Sequence, residues 1–271
     1  MTQAQKGHAF RALHARDRAF IIPNPWDAGT ARLLANLGFE SLATTSAGYA
    51  FSAGKRDGAV GREEAMAHVT AIVSATDLPV SADLENGFGD SAKTVAETIK
   101  LAAQAGLAGG SIEDVSRLDH RVYDIEHAVE RVQAAVEATR SFEFPFTLTA
   151  RAENYLVGRP DLKDTIKRLQ AYRDAGADVL YAPGLSSKDD IATVVSSVDR
   201  PVNVLMGMQG SQLTLAELST LGVKRVSIGS ALSRAALGAF LRAAHEMQEH
   251  GTFRFADEAI SYRDINAMFP A

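Results

Sequence analysis

Carboxylates gather at a few short stretches of this sequence. In SADLENGFGD (81–90), Asp83 and Glu85 stand two apart ahead of Gly87 and Gly89; SIED ends in Glu113 and Asp114; TARAE supplies Arg151 and Glu153. Desolvating several like charges is costly, and hydrophobic collapse gives no reason to set them at the ends of apolar runs. A hard divalent cation would offset that cost. Carboxylates converging without cysteine or histidine suit Mg²⁺ or Mn²⁺ better than zinc. The chain has no cysteine, and none of its seven histidines falls at the end of a strand-like run. At alternate strand positions the Asp83 and Glu85 side chains leave on one side, and Gly87 and Gly89 let the backbone turn closely over whatever the acids hold. The competing reading is an ion-pair network, in which the same acids neutralise Arg151 or cap the following helices.

Such residues act together only if a fold brings distant segments to one place. A rhythm of helix, glycine, apolar residue and β-rich run recurs in LGFESLATTS, AGLAGGSIED, AGADVLYAPG and LGVKRVSIGS. Gly38, Gly106, Gly176 and Gly222 fit the left-handed residue that closes a helix before a strand. Between these lie runs opened by Pro79, Pro145 and Pro201, where a strand tolerates a missing N–H. AFIIPNPW completes eight strand candidates, each followed by an amphipathic helical stretch. Most of the strands are apolar, as expected when both faces are covered. Eight evenly spaced units in 271 residues predict an α/β chain forming a single (β/α)₈ TIM barrel over 1–271, with 252–271 as a C-terminal helical extension. An open doubly wound sheet permits the same alternation, but no glycine-rich dinucleotide fingerprint opens the chain.

In a (β/α)₈ barrel the carboxyl ends of the strands carry the chemistry. Those ends present Trp26 and Asp27, then Thr44, Thr45, Ser46 and Gly48, then the acids, then Arg151, Glu153 and Asn154. The last three strands add neutral groups: Pro183, Asn203 as a substrate contact, Ser227 and Ser230. A Schiff-base aldolase would need a lysine inside a strand, and Lys224 lies at the wrong end of the eighth. GMQGS (207–211) and IGSALSRA (228–235) resemble phosphate-binding loops weakly and serve turns and caps equally well. A net charge of −5 without a basic tract predicts no nucleic-acid partner. A polar helical N-terminus and the lack of a long apolar run predict no membrane span and a cytoplasmic protein.

Taken in order, NPWDAGTARLLANLGFESLATTSAG, KRDG, DLENGFGD, SIED and TARAE resemble the isocitrate lyase/phosphoenolpyruvate mutase superfamily over nearly the whole chain. The resemblance implies a barrel whose last helix is often exchanged between subunits of a homodimer or homotetramer. It implies Asp83 as the direct Mg²⁺ ligand, Glu85 and Glu113 holding the ion largely through water, and Asp57 as an acid of the same site. Ser46, Ala47 and Gly48 would grip the substrate's carboxylate and oxo oxygen, Arg151 would neutralise its charge, and Trp26 would form an aromatic wall. Two departures stand out. The usual Asp-x-Asp is Asp83-x-Glu85, and the Lys-Lys-Cys-Gly-His lid motif of the isocitrate and methylisocitrate lyases is absent. In its place VSRLDHRVYDIEHAVERV makes a short connection, in which His120, Arg121 and Tyr123 could meet a distal carboxylate.

The implied substrate is a small 2-oxo or 2-hydroxy acid cleaved through a metal-stabilised enolate. Decarboxylation makes the least demand on a short lid, since CO₂ departs without a nucleophile or base, so an oxaloacetate-decarboxylase-like C–C lyase is the expected activity. The alternatives are a phosphonopyruvate hydrolase or phosphoenolpyruvate mutase type of P–C enzyme and, in another class, a non-catalytic 2-oxo acid binding protein.

Overall fold

Eight short parallel strands alternate with helices in the computed structural model, which describes residues 1–208, 210 and 212–269. The strands are β1 (Phe20–Ile22), β2 (Leu42–Ala43), β3 (Val80–Asp83), β4 (Gly109–Glu113), β5 (Thr147–Arg151), β6 (Val179–Tyr181), β7 (Val202–Leu205) and β8 (Arg225–Ser227). From β2 to β8 each strand pairs with the next, and β8 returns to β1, giving the order β1-β8-β7-β6-β5-β4-β3-β2. At the remaining seam the Ala43 N–H donates to the Pro23 carbonyl at 3.0 Å, so the ring of strands is nearly closed, as a (β/α)₈ barrel requires.

Local chemistry explains where the elements stop. Gly38, Gly106, Gly176 and Gly222 have φ of +86°, +91°, +103° and +87°, a region that only glycine enters without strain, and each follows a helix and precedes a strand. Pro79 and Pro201 sit one residue before β3 and β7 and offer carbonyls to Leu42 and Leu180 of the adjoining strands, at 3.0 and 2.9 Å. Between sheet and helices the core is aliphatic, with Leu42, Ile72, Ile99, Leu107, Leu148, Leu169 and Leu180 fully buried. The lumen is different. Ser81, Ser111, Thr149, Asn203, Arg225 and Ser227 are buried there in place of the branched aliphatic side chains that usually fill a barrel.

One expectation about the helices needs correction. The segment after β2 is not one helix: a short α3 (Ser46–Ser52) precedes α4 (Arg62–Ser74), with the KRDG stretch as the loop between them. The C-terminal extension is helical, with a 3₁₀ turn (Arg254–Glu258) ahead of the short final helix, Tyr262–Ala267. Ahead of them α10 (Ala231–His250) runs twenty residues and buries only Ser233, leaving Phe240, Leu241 and Met247 exposed. GMQGS falls partly on residues 209 and 211, outside the described residues.

Candidate active site

The ladder between neighbouring strands brings the charged residues together. Glu113 and Arg151 are the last residues of β4 and β5 and stand side by side in register, as do Arg151 and Tyr181 of β6. Arg151 Nη1 lies 2.9 Å from Glu113 Oε1 and 3.1 Å from Asp83 Oδ1, Nε lies 2.7 Å from Glu153 Oε1, and the guanidinium sits 5.1 Å over the Tyr181 ring. One arginine thus faces three carboxylates. Charge on the acids exceeds what it neutralises. Burial pushes the Glu113 and Glu153 carboxyls up against the pull of Arg151, and the surrounding acids hold Arg151 well above the ordinary arginine range.

Asp83 closes β3, where its own N–H donates to Thr44 Oγ1 at 3.0 Å. Its Oδ2 accepts from Ser46 Oγ at 2.7 Å and from the Ser46 N–H at 3.3 Å, at the first residue of α3. Ser46 Oγ is also 3.5 Å from Asp57 Oδ1, which brings the KRDG loop to the same point. Burial first, and Asp83 second, push the Asp57 carboxyl up. Glu85 does not continue the strand: its φ of +48° turns it out of β3. Its carboxylate nevertheless reaches the same cavity and pairs with Arg117 Nε at 3.1 Å. Burial and the neighbouring Asp83 push the Glu85 carboxyl up to about 7.

These groups line an open cavity of about 540 Å³ at the carboxyl ends of the strands, shared by Ser46, Ala47, Asp57, Asp83, Glu85, Glu113, Arg151 and Asn203. Two residues expected there are elsewhere. Gly48 is absent from the lining: its N–H donates to Thr45 Oγ1 at 3.2 Å, and a Cβ there would meet Thr45 Cγ2 at 2.5 Å and Trp26 Cβ at 3.2 Å. The glycine is needed for close packing, and Trp26 backs α3 instead of walling the cavity. Gly87 and Gly89 face α5 (Ala92–Gln104), since a Cβ on them would meet Val95 at 3.0 Å and Thr94 at 2.8 Å. Buried Arg131 holds the carbonyls of Asn86, Gly89 and Asp90, and so fixes this turn from behind.

Asp114, at a strand end like Glu113, also faces away. Its Oδ2 accepts from Tyr172 OH at 2.5 Å and Arg168 Nη1 at 3.2 Å, and its Oδ1 accepts the Glu153 N–H at 2.8 Å. Asn154 joins the same outer network through Asp164, at 2.7 Å. The lid between β4 and α6 (Ile125–Arg140) is a tight hairpin with Val115 and Val122 paired. Tyr123 OH donates to Asp90 Oδ1 at 2.6 Å, anchoring the lid away from the cavity, and Arg121 is exposed. His120 does line the cavity, and so does Arg117, which also donates to the carbonyls of Gly58 and Val60. Sequence reasoning missed Arg117, Tyr181 and Arg225 as cavity residues. A cation in a short lid beside an acidic turn was the available signal for Arg117; a buried β8 arginine had none.

Among the described residues, no group of three or more His, Cys, Asp or Glu side chains is set as a preformed cage that could hold a metal ion. Mg²⁺ does not require one, because it keeps several waters and takes one or two carboxylates. Asp83 with Glu85 and Glu113 offers hard oxygen donors on a shared cavity, with more negative charge than Arg151 offsets. The donor set fits a hydrated divalent ion.

A sequence model of the phosphoenolpyruvate phosphomutase family matches residues 10–248. Among solved structures, a Burkholderia cenocepacia J2315 protein carried under a provisional lyase/mutase assignment superposes with a TM-score of 0.97 at 64% identity, over 99% of this chain and 97% of the other. The 2-methylisocitrate lyase of Salmonella typhimurium is 32% identical over 195 residues, 69% of this chain and 65% of that protein. The oxaloacetate decarboxylase of Chromohalobacter salexigens is 29% identical over 238 residues, 85% of this chain and 81% of that protein. A barrel whose acids meet one arginine at the ends of β3 to β5 is thus accompanied by a family match across most of the length, and the chain belongs to the isocitrate lyase/phosphoenolpyruvate mutase superfamily.

Proposed function

We propose that this chain is a Mg²⁺-dependent lyase that cleaves a C–C bond of a small 2-oxo or 2-hydroxy dicarboxylic acid, in the manner of an oxaloacetate decarboxylase. The observation that supports it best is the convergence of Asp83, Glu113 and Glu153 on Arg151 beside Ser46, on one open cavity. Bound there, Mg²⁺ supplies Lewis-acid charge toward the oxygens of a 2-oxo acid. The chain's own residues do the rest. Asp83, Glu85 and Glu113 would hold the ion, and Arg151 beside them would face the substrate's carboxylate and the enolate oxygen that forms as the bond breaks. Ser46 Oγ donates to Asp83 Oδ2 and lines the same cavity, so it orients that carboxylate. Of the three amides in the Ser46–Gly48 segment, that of Ser46 is spent on Asp83 and that of Gly48 on Thr45, which leaves the Ala47 N–H for the substrate. Asn203, on the β7 side of the cavity, is the further substrate contact.

The short hairpin lid carries no cysteine, which suits the departure of CO₂ better than the protonation of a larger leaving group. Purified protein with Mg²⁺ should release pyruvate from oxaloacetate, and Asp83→Ala should abolish both the turnover and the metal's effect; unchanged kinetics in that variant would remove the metal assignment. Phosphate released from phosphonopyruvate would instead favour P–C cleavage, a reading supported by the family model that matches. The exposed apolar side of α10 supports a homodimer or homotetramer in which this helix packs on a second copy. No helix among the described residues is long and apolar enough to cross a membrane.

A further inference from the structure

The cavity floor contains a cation that the chemistry above does not use. Arg225 opens β8 and points into the lumen, buried to 5% exposure. Its Nε donates to Asn203 Oδ1 at 2.9 Å and its Nη2 to Thr149 Oγ1 at 3.0 Å, while Nη1 has no hydrogen-bond partner among the described residues. Both partners are neutral. The charges acting on it are those of Arg151 and, when ionised, Tyr181, and no carboxylate pairs with it among the described residues. Burial lowers Arg225 only to about 10, so it stays charged at neutral pH. Beneath it His14 is held neutral, at about 3, by burial and by Arg225 itself. The contrast with Arg151, surrounded by three acids, is sharp.

Burying a guanidinium without a counter-ion is expensive, and an apolar residue of similar volume would commonly be neutral or stabilising in its place. The protein therefore retains a charge that lowers its own stability. Packing does not explain it, since the side chains it touches are the small polar Thr149 and Asn203, which a methionine side chain could adjoin equally well. Two consequences follow from the contacts. The Asn203 amide is locked, because Arg225 takes its oxygen and Ser227 Oγ accepts from its nitrogen at 2.9 Å. The uncompensated charge also acts through the low-dielectric lumen on whatever occupies the cavity above.

We propose that Arg225 is a specificity-determining residue that makes the cavity select dianionic over monoanionic ligands, by holding an unneutralised positive charge beneath the site and fixing Asn203 at its floor. The inference rests on the 2-oxo acid site proposed above and adds the charge of its ligand. With an effective dielectric of about 20 and a separation of about 10 Å, one extra unit of ligand charge should change affinity by on the order of tenfold.

Calorimetry with Mg²⁺ and two isosteric ligands, oxalate (a dianion) and oxamate (a monoanion), tests this. The wild type should bind oxalate more tightly. That preference should fall about tenfold in Arg225→Met and stay within about threefold of the wild type in Arg225→Lys, while the melting temperature of Arg225→Met does not drop. A residue that merely supported the fold would lower stability and leave the oxalate-to-oxamate ratio alone. Thr149→Asp is a second variant that keeps Arg225 and sets a carboxylate beside it; the ratio should fall there too, so the test survives a misfolded methionine variant. An unchanged ratio in either folded variant overturns the inference but leaves the 2-oxo acid site standing. No binding of oxalate or oxamate to the wild type overturns both.

Discussion

Glu85 offers the sharpest test of how charge is stored at this site. It sits on the left-handed turn leaving β3, with its side chain 8% exposed and 3.1 Å from Arg117. Burial first and Asp83 second move its carboxyl from 4.5 to about 7. Because the folded value is raised, the associated stability is fully present below the unfolded value near 4.5 and is lost as pH rises through about 7. A rise of that size corresponds to about 3 kcal/mol at about 1.4 kcal/mol per tenfold. Glu85→Gln keeps the shape and a contact to Arg117 but cannot ionise, so it imitates the protonated acid. In EDTA the variant and the wild type should melt within a few degrees of each other at pH 5. At pH 8 the variant should be more stable by about 3 kcal/mol, a gap of roughly 6–10 °C for a domain of this size. Asp57, Glu113 and Glu153 are raised as well, but both proteins contain them and their contributions cancel in the difference. With saturating Mg²⁺ the gap should shrink or reverse, since only the wild type keeps the charge that an ion would neutralise. Thermal melts by circular dichroism at three pH values, with and without Mg²⁺, measure all of this. A pH-independent gap in EDTA would refute the claim that this carboxylate is held in excess of its counter-charges.

Tyr172→Phe removes the 2.5 Å hydrogen bond to Asp114 and should cost about 1–3 kcal/mol, with faster amide exchange across the 115–122 lid. Gly109→Ala should cost more than about 2 kcal/mol in a denaturant melt, because the added Cβ would lie 2.6 Å from the Thr147 carbonyl oxygen and 2.9 Å from the Phe10 ring. Phe240 is 68% exposed on α10, and Phe240→Asp should lower the mass seen by size-exclusion chromatography with light scattering if that helix packs on a second copy.

Much of the frame was legible in the chain. The period of glycine-closed helices and proline-led apolar runs is a local signal, set by backbone conformations available to those residues alone, and it marked seven of the eight strands, with β1 read from the apolar AFIIPNPW. Strand-end position likewise brought Asp83, Glu113 and Arg151 to one rim, because register between adjacent parallel strands follows from their shared direction. Sequence could not say which way a residue faces once the strand has ended. Asp114 and Asn154 turn outward into the Arg168 network, Gly48 is spent on packing, and Glu85 returns to the cavity only through a left-handed turn. Nor could it reveal that Arg225 has no carboxylate partner among the described residues, or that Arg117 reaches Glu85 from the lid. Composition and spacing thus determined the barrel and the types of group at its rim. The pairing of charges was decided only by tertiary structure, because an electrostatic partner is chosen by distance and burial in three dimensions, and neither is written in the order of residues.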